Sequence, residues 1–211
     1  METIDPERLA GYLLHRASGG GRLIVALAGA PASGKSALAD RLAGMLNAEA
    51  TETAAVLAMD GFHFDDLHLV PAGLRGRKGA PETFDVGGLG QALLRLRARD
   101  EAFVAVPVFD RDLEIARAGA RLIGAGTPVV IVEGNYLLLD GKPWRSLWPL
   151  FDVTVFLDVP ERVLAERLAQ RWRGLGYGED EVRRKLEEND LPNARRVIAE
   201  SAPAQFRLTG G

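Results

Sequence analysis

Gly29–Ser36 (GAPASGKS) constrains this chain more than any other stretch, because it joins two kinds of local structure in a fixed order. Before it, Arg22–Ala28 (RLIVALA) is a short continuous apolar run, the pattern of a strand covered on both faces. After it, Leu38, Leu42, Met45 and Leu46 fall on one helical face. The spacing G-x-x-x-x-G-K-[ST] at such a junction is that of a phosphate-binding loop. Glycines let the backbone wrap closely, so that its N–H groups face phosphate oxygens, and the helix N-terminus adds roughly half a positive charge. Lys35 then reaches the β- and γ-phosphates, and the Ser36 hydroxyl suits Mg²⁺. Gly29, Ala30, Pro31, Ala32, Ser33, Gly34, Lys35, Ser36 and Ala37 are the expected nucleotide-binding residues. A turn without function is the bland alternative in a chain with 24 glycines, and the strand and helix on either side argue against it.

The remaining sequence alternates in the same way. A helix is expected from Asp5, with Asp5 as its cap, Pro6 in the first turn and Ile4 packing on Leu9, ending at Gly19-Gly20-Gly21. Ala54–Met59 reads as another buried strand, Val86–Arg99 as a helix and Phe103–Phe109 as a strand. Pro128–Val132 and Val153–Leu157 are further buried strands, ending at Glu133 and Asp158. Pro160 opens a helix with a Leu164, Leu168, Trp172 stripe, and Asp158 with Glu161 is expected to cap it. Gly174–Gly178 interrupts, then a charged helical stretch runs from Glu179 to about Ser201, which Pro192 should kink or split. Gln205–Thr209 reads as a last strand. The pattern predicts an α/β protein of the P-loop NTPase fold: a mainly parallel sheet, helices on both faces, and a small helical lid over residues 171–190. No repeat or linker divides the chain, so residues 1–211 are expected to form one domain.

Composition narrows the class. The chain has no cysteine, which excludes disulfides and zinc–thiolate sites, and its net charge of −3 gives no sign of a nucleic-acid partner. METIDPERLA lacks an apolar signal core, and no apolar run approaches the ~20 residues that span a bilayer. A cytoplasmic protein without membrane insertion is the expectation.

In parallel sheets ligands bind beyond the carboxyl ends of the strands. Asp60 terminates one of them. There it can take the proton of an attacking hydroxyl, or assist Mg²⁺ without touching it. Glu133 ends another and reads as the acidic partner of Mg²⁺ beside Ser36; otherwise it only caps a turn. The stretch LAMDGFHFDDLH, with His63 and His68, is acidic and histidine-rich, but its spacing does not suit a transition-metal site. Arg162, Arg167, Arg171 and Arg173 precede the flexible glycines; any of them could close on migrating phosphoryl oxygens or form a solvated face, and Arg171 is favoured by its position. Arg75, Arg77 and Lys78 could bind an anionic acceptor or be solvated. Asp85–Gly88 fits D-x-x-G without an apolar strand before it, and there is neither N-K-x-D nor L-S-G-G-Q, which argues against a GTPase or a transporter motor.

Taken together, GAPASGKS, MDGF, RKGAPETFD, PVFDR and VIVEGNYLL resemble, in order and spacing, the uridine kinase, phosphoribulokinase and pantothenate kinase group of P-loop kinases, over most of residues 22–210. The length and the RWRGLGYGEDEVRRKLEENDLPNARR segment resemble small bacterial proteins described as fructose transport system kinases. The resemblance implies an ATP- and Mg²⁺-dependent kinase acting on a hydroxyl of a small molecule. It makes Asp60 the base, Lys35 and Ser36 the phosphate and magnesium contacts, and Arg171 the lid arginine. It puts Phe109, Arg111 and Asn193 on the acceptor side, where His63, Arg77 and Lys78 are further candidates, and the loop Ser201–Gln205 beside adenine. Pantothenate kinases carry tyrosine and histidine where this chain has Phe109 and Arg111, which argues against pantothenate itself; by the resemblance alone a sugar-like acceptor ranks first, with pantothenate- or nucleoside-type acceptors next. A weakly catalytic ATP-binding regulator of a transport system is the rival, and a homodimer is compatible with either.

Overall fold

The computed structural model describes residues 1–210. In chain order the elements are β1 (Glu2–Thr3), α1 (Pro6–Ala17), β2 (Leu23–Gly29), α2 (Lys35–Glu49), β3 (Ala54–Ala58), α3 (Asp66–Leu69), α4 (Val86–Ala98), β4 (Phe103–Asp110), β5 (Ile115–Gly124), β6 (Val129–Gly134), β7 (Val153–Asp158), α5 (Glu161–Gly174), α6 (Glu179–Lys185), α7 (Leu191–Glu200) and β8 (Phe206–Thr209). The main sheet has the order β1-β8-β7-β2-β6-β3, and every neighbouring pair is parallel. β2 and β6 lie inside it with every residue buried, which is why their sequences are apolar without alternation. α1 starts as its sequence requires: the Asp5 side chain accepts from Arg8 N–H at 2.7 Å, and Leu9 and Leu13 are buried.

Three expectations change in the folded chain. β3 is the edge of the sheet and only partly buried, although its sequence is as apolar as an inner strand. The strand at Phe103 exists, yet it lies outside the main sheet, paired antiparallel with β5 in a two-stranded ribbon. β5 (IARAGARLIG) is nearly all exposed and so lacks the apolar signature of a strand. The ribbon's register shifts between Val106 and Val108, at Pro107, which has no N–H to give a ladder. The charged stretch does divide beside Pro192: a π-helical turn, Leu186–Asp190, separates α6 from α7, and the proline stands in the first turn of α7, where no N–H is needed. Finally, α5 begins at Pro160 without a side-chain cap, because Asp158 is drawn sideways into an ion pair with Arg207 on neighbouring β8.

The sequence also hid β1, two exposed residues that extend the sheet beside β8.

Candidate active site

Between β2 and α2 the loop reaches the shape its glycines permit. A Cβ on Gly29 would lie 2.9 Å from the Ser33 hydroxyl and 3.0 Å from the Leu157 carbonyl, so only glycine fits there. Gly34 caps α2 at φ 94°, in the left-handed region glycine enters freely. Ala32 also has positive φ, 61°, an unfavourable state for a residue with a Cβ, held by the loop around it. The Ser33 hydroxyl is buried without a hydrogen-bond partner, a polar atom that a bound oxyanion would satisfy.

The acidic residues converge on this loop because of strand order. β6 lies between β2 and β3, with Glu133 level with Leu27 on one side and Ala58 on the other. Glu133 is 5% exposed. Burial pushes its carboxyl up, aided by Asp60 and opposed by Lys35, a hydrogen bond with Ser36, and Arg111. A serine hydroxyl beside a buried carboxylate is an oxygen donor set that fits Mg²⁺, which takes most of its other ligands from water and nucleotide phosphates. No group of three or more His, Cys, Asp or Glu side chains is placed to hold a metal ion among the described residues, so LAMDGFHFDDLH is not assembled as one.

Asp60 lies two residues beyond the end of β3, in a 3-10 turn spanning Met59–Phe62. Two glycines allow the approach: a Cβ on Gly61 would meet the Pro107 carbonyl at 2.5 Å, and one on Gly134 would meet Met59 Cβ at 2.5 Å. Burial favours the protonated Asp60, but His63, Lys35 and Arg111 outweigh it and hold the carboxyl below its ordinary range. Arg111 Nη2 donates to Asp60 Oδ2 at 2.7 Å, across 51 positions of sequence.

The side on which an acceptor is expected is built from the two segments that follow. Phe64 N–H donates to the Thr83 carbonyl at 2.9 Å and Asp85 N–H to the Phe62 carbonyl at 2.7 Å, which closes RKGAPETFD onto DGFHF. Tyr136, fully buried, donates to the Gly79 carbonyl at 2.6 Å and holds the loop from beneath. His63 packs between Phe84 and Phe109, at 4.0 and 4.8 Å between ring centres. Lys78, its side chain 7% exposed, donates to Asp66 at 2.7 Å and to the Glu114 carbonyl at 2.6 Å. Asn193 joins this side indirectly: it donates to Asn189 at 3.0 Å, and Asn189 donates to the Lys78 carbonyl at 3.4 Å. Asn189 was not legible as a contact, because its position follows from the π-turn. Arg77 does not join; it pairs at the surface with Glu82.

The arginines sort differently from the sequence reading. Arg167, not Arg171, reaches the phosphate loop, with Nη1 3.1 Å from the Ser33 carbonyl. Arg171 lies one turn further along α5, exposed over the Trp172 ring at 5.5 Å. Arg162 and Arg173 pair with Glu166 and Glu179 on the surface. Beside Arg167 opens a cavity of about 650 Å³, lined by Ala32, Gly34, Leu38, Leu157 and Thr209 among others, at the carboxyl ends of β7 and β8. The loop Ser201–Gln205 is not part of it. Gln205 N–H donates to the hydroxyl of Thr154, the second residue of β7, so this loop enters β8 at the amino end of the sheet, opposite the phosphate loop. Parallel pairing of β8 with β7 fixes that polarity, so the end of β8 at Thr209, not its start, lies on the phosphate-loop side of the sheet.

Comparison with known proteins agrees with this geometry. No family model matches the chain. A crystal structure from Silicibacter sp. TM1040, provisionally named a fructose transport system kinase, is 43% identical, covers 97% of this chain and 98% of its own, and superposes with a TM-score of 0.90. The uncharacterized YggC of Escherichia coli K12 is 34% identical over 208 residues, 98% of this chain and 80% of its own. A Schizosaccharomyces pombe protein provisionally named a uridine kinase is 33% identical over 180 residues, 82% of this chain and 76% of its own.

Proposed function

The chain belongs to the group of P-loop kinases that includes uridine kinase and pantothenate kinase, and from that membership we propose that it transfers the γ-phosphoryl group of ATP to a hydroxyl of a small, sugar-like metabolite. The observation that carries the reading is Asp60: an ionised carboxylate at the carboxyl edge of the sheet, one strand away from Glu133, within the field of Lys35.

In this reaction the triphosphate lies along the loop N–H groups of residues 29–37, with Lys35 on the β- and γ-oxygens. Ser36 and Glu133 would hold Mg²⁺, which would supply positive charge to offset that of the triphosphate. Asp60 accepts the proton of the acceptor hydroxyl as its oxygen forms a bond to the γ-phosphorus. The bond from the γ-phosphorus to the bridging oxygen breaks, and ADP leaves with the electron pair. Arg111 keeps Asp60 deprotonated before the acceptor arrives. Arg167 braces the nucleotide side, and closure of the lid around residues 171–190 brings Arg171 over the transferring group.

The reading is tested by ADP release from Mg²⁺-ATP in the presence of sugars, vitamins and nucleosides. Acceptor-stimulated release that is lost in Lys35→Ala supports it. ATP binding with no stimulation by any acceptor would favour a regulatory ATP binder, and unchanged kcat/KM in Lys35→Ala would remove the phosphate-loop assignment.

A further inference from the structure

The acceptor side carries many cations, yet each has a carboxylate partner. Lys78 is on Asp66 at 2.7 Å. Arg75 is on Asp66 at 2.5 Å and near Glu114 at 3.7 Å. Arg77 is on Glu82 at 2.5 Å and Arg111 on Asp60 at 2.7 Å. Leaving aside the surface pair of Arg77, three cations therefore face three carboxylates, and behind them Lys35 is set against Glu133. A carboxylate or phosphate on the acceptor would enter among cations that already have carboxylate partners, next to a triphosphate. To take Arg111 as its partner it would have to draw it off Asp60, leaving the Asp60 charge against its own.

His63 supplies the complementary preference. Its Nδ1 lies 2.8 Å from the main-chain oxygen of Asp60. A carbonyl oxygen only accepts, so Nδ1 carries the proton. Burial between the aromatic rings and the nearby Lys78 and Arg111 hold the imidazole toward its neutral form, against the opposite pull of Asp60. A neutral ring protonated at Nδ1 has a lone pair at Nε2, and among the described residues no donor meets that atom. His63 and Asp60 are three positions apart across one tight turn, so the two acceptor atoms belong to one small site.

We propose that the acceptor is an uncharged polyhydroxy compound, of the sugar or polyol class, that gives its reacting hydroxyl to Asp60 and a neighbouring hydroxyl to His63 Nε2. The proposal rests on the kinase reading above and adds to it the charge of the substrate and the residue that reads its second hydroxyl.

The experiment compares matched pairs as acceptors with Mg²⁺-ATP: a hexitol and its hexonate, a pentitol and its pentonate, glycerol and glycerate, together with neutral ketoses and aldoses. The neutral member of a pair that turns over should exceed the acid by at least tenfold in kcat/KM. An acid preferred by tenfold overturns the inference while leaving the kinase reading intact. Nucleotide binding without turnover of any compound, neutral or charged, defeats the kinase reading and this inference together. With the best neutral acceptor, His63→Phe should raise its KM at least tenfold without changing the KM for ATP, and His63→Gln, whose side-chain oxygen can accept, should recover part of the loss. An unchanged acceptor KM in a folded His63→Phe enzyme refutes the role of Nε2. Should that variant not fold, the matched pairs on the unaltered protein still decide the charge of the acceptor.

Discussion

The two halves of the site are built by different means. On the nucleotide side the ligand surface is backbone: consecutive residues 29–37, glycine where a Cβ would collide and at the left-handed cap of α2, and a helix that starts inside the loop. On the acceptor side the surface is side chain, brought together from distant segments: Arg111 on Asp60 over 51 positions, Asn189 on Lys78 over 111, and Tyr136 under Gly79 over 57. A backbone cradle recognises what all nucleoside triphosphates share. A side-chain assembly can change its ligand by changing one pair, which suits a fold that serves many acceptors.

That contrast is broken or sharpened by substitution, and the largest effect is expected at its centre. Asp60→Asn keeps the shape of the carboxylate and removes the base. It should lower kcat by roughly 10²–10⁴-fold with nucleotide affinity unchanged in a binding titration. A loss of ATP binding instead would mean that the halves are not separable. Arg167→Ala should weaken the nucleotide about tenfold, near 1.4 kcal/mol, and leave the acceptor KM alone, whereas Arg171→Ala should act on kcat. If the two swap effects, the lid arginine has been misplaced.

Gly61→Ala tests whether the acceptor side depends on one close approach. The new methyl would meet the Pro107 carbonyl at 2.5 Å, so about 1–3 kcal/mol of stability should be lost, seen as a drop in Tm of several degrees. The pH dependence sharpens the same point. Asp60 has a lowered pKa in the fold, so the stability from its pairing is present above the unfolded carboxylate value, about 3.9, and disappears as pH falls through the lower folded value. The stability gap between the natural chain and Arg111→Leu should therefore shrink between pH 5 and pH 3 in denaturant titrations, and the acid limb of kcat/KM should move upward in the variant. The smallest effect is expected at Arg77→Ala. Its pair with Glu82 is exposed, so stability should change by less than about 1 kcal/mol and acceptor kinetics not at all.

How much of this was legible follows the same division. GAPASGKS, the buried β2 and β6, and the ends of those strands at Gly29 and Glu133 could be read directly, because contiguous residues and local periodicity specify them. Asp60 could be read for the same reason, as the residue after an apolar run. Arg167 and Arg171 could not be told apart, since helical spacing puts both on one side of α5 and only packing against Ser33 chooses between them. Ser201–Gln205 stands beside adenine only by resemblance, and strand polarity puts it at the opposite end of the sheet from the phosphate loop. β5 left no trace because an exposed ribbon strand buries too little for its pattern to show.

By itself, then, the amino-acid sequence determined the strand–loop–helix that holds a triphosphate, the alternation that makes a parallel sheet, and the carboxylates at its mouth, since each depends on neighbours within a few residues. Tertiary structure alone decided which arginine meets the loop, which end of β8 lies beside it, and that Arg111 pairs with Asp60. Those outcomes depend on strand order and on contacts between residues tens of positions apart, and no local pattern encodes either.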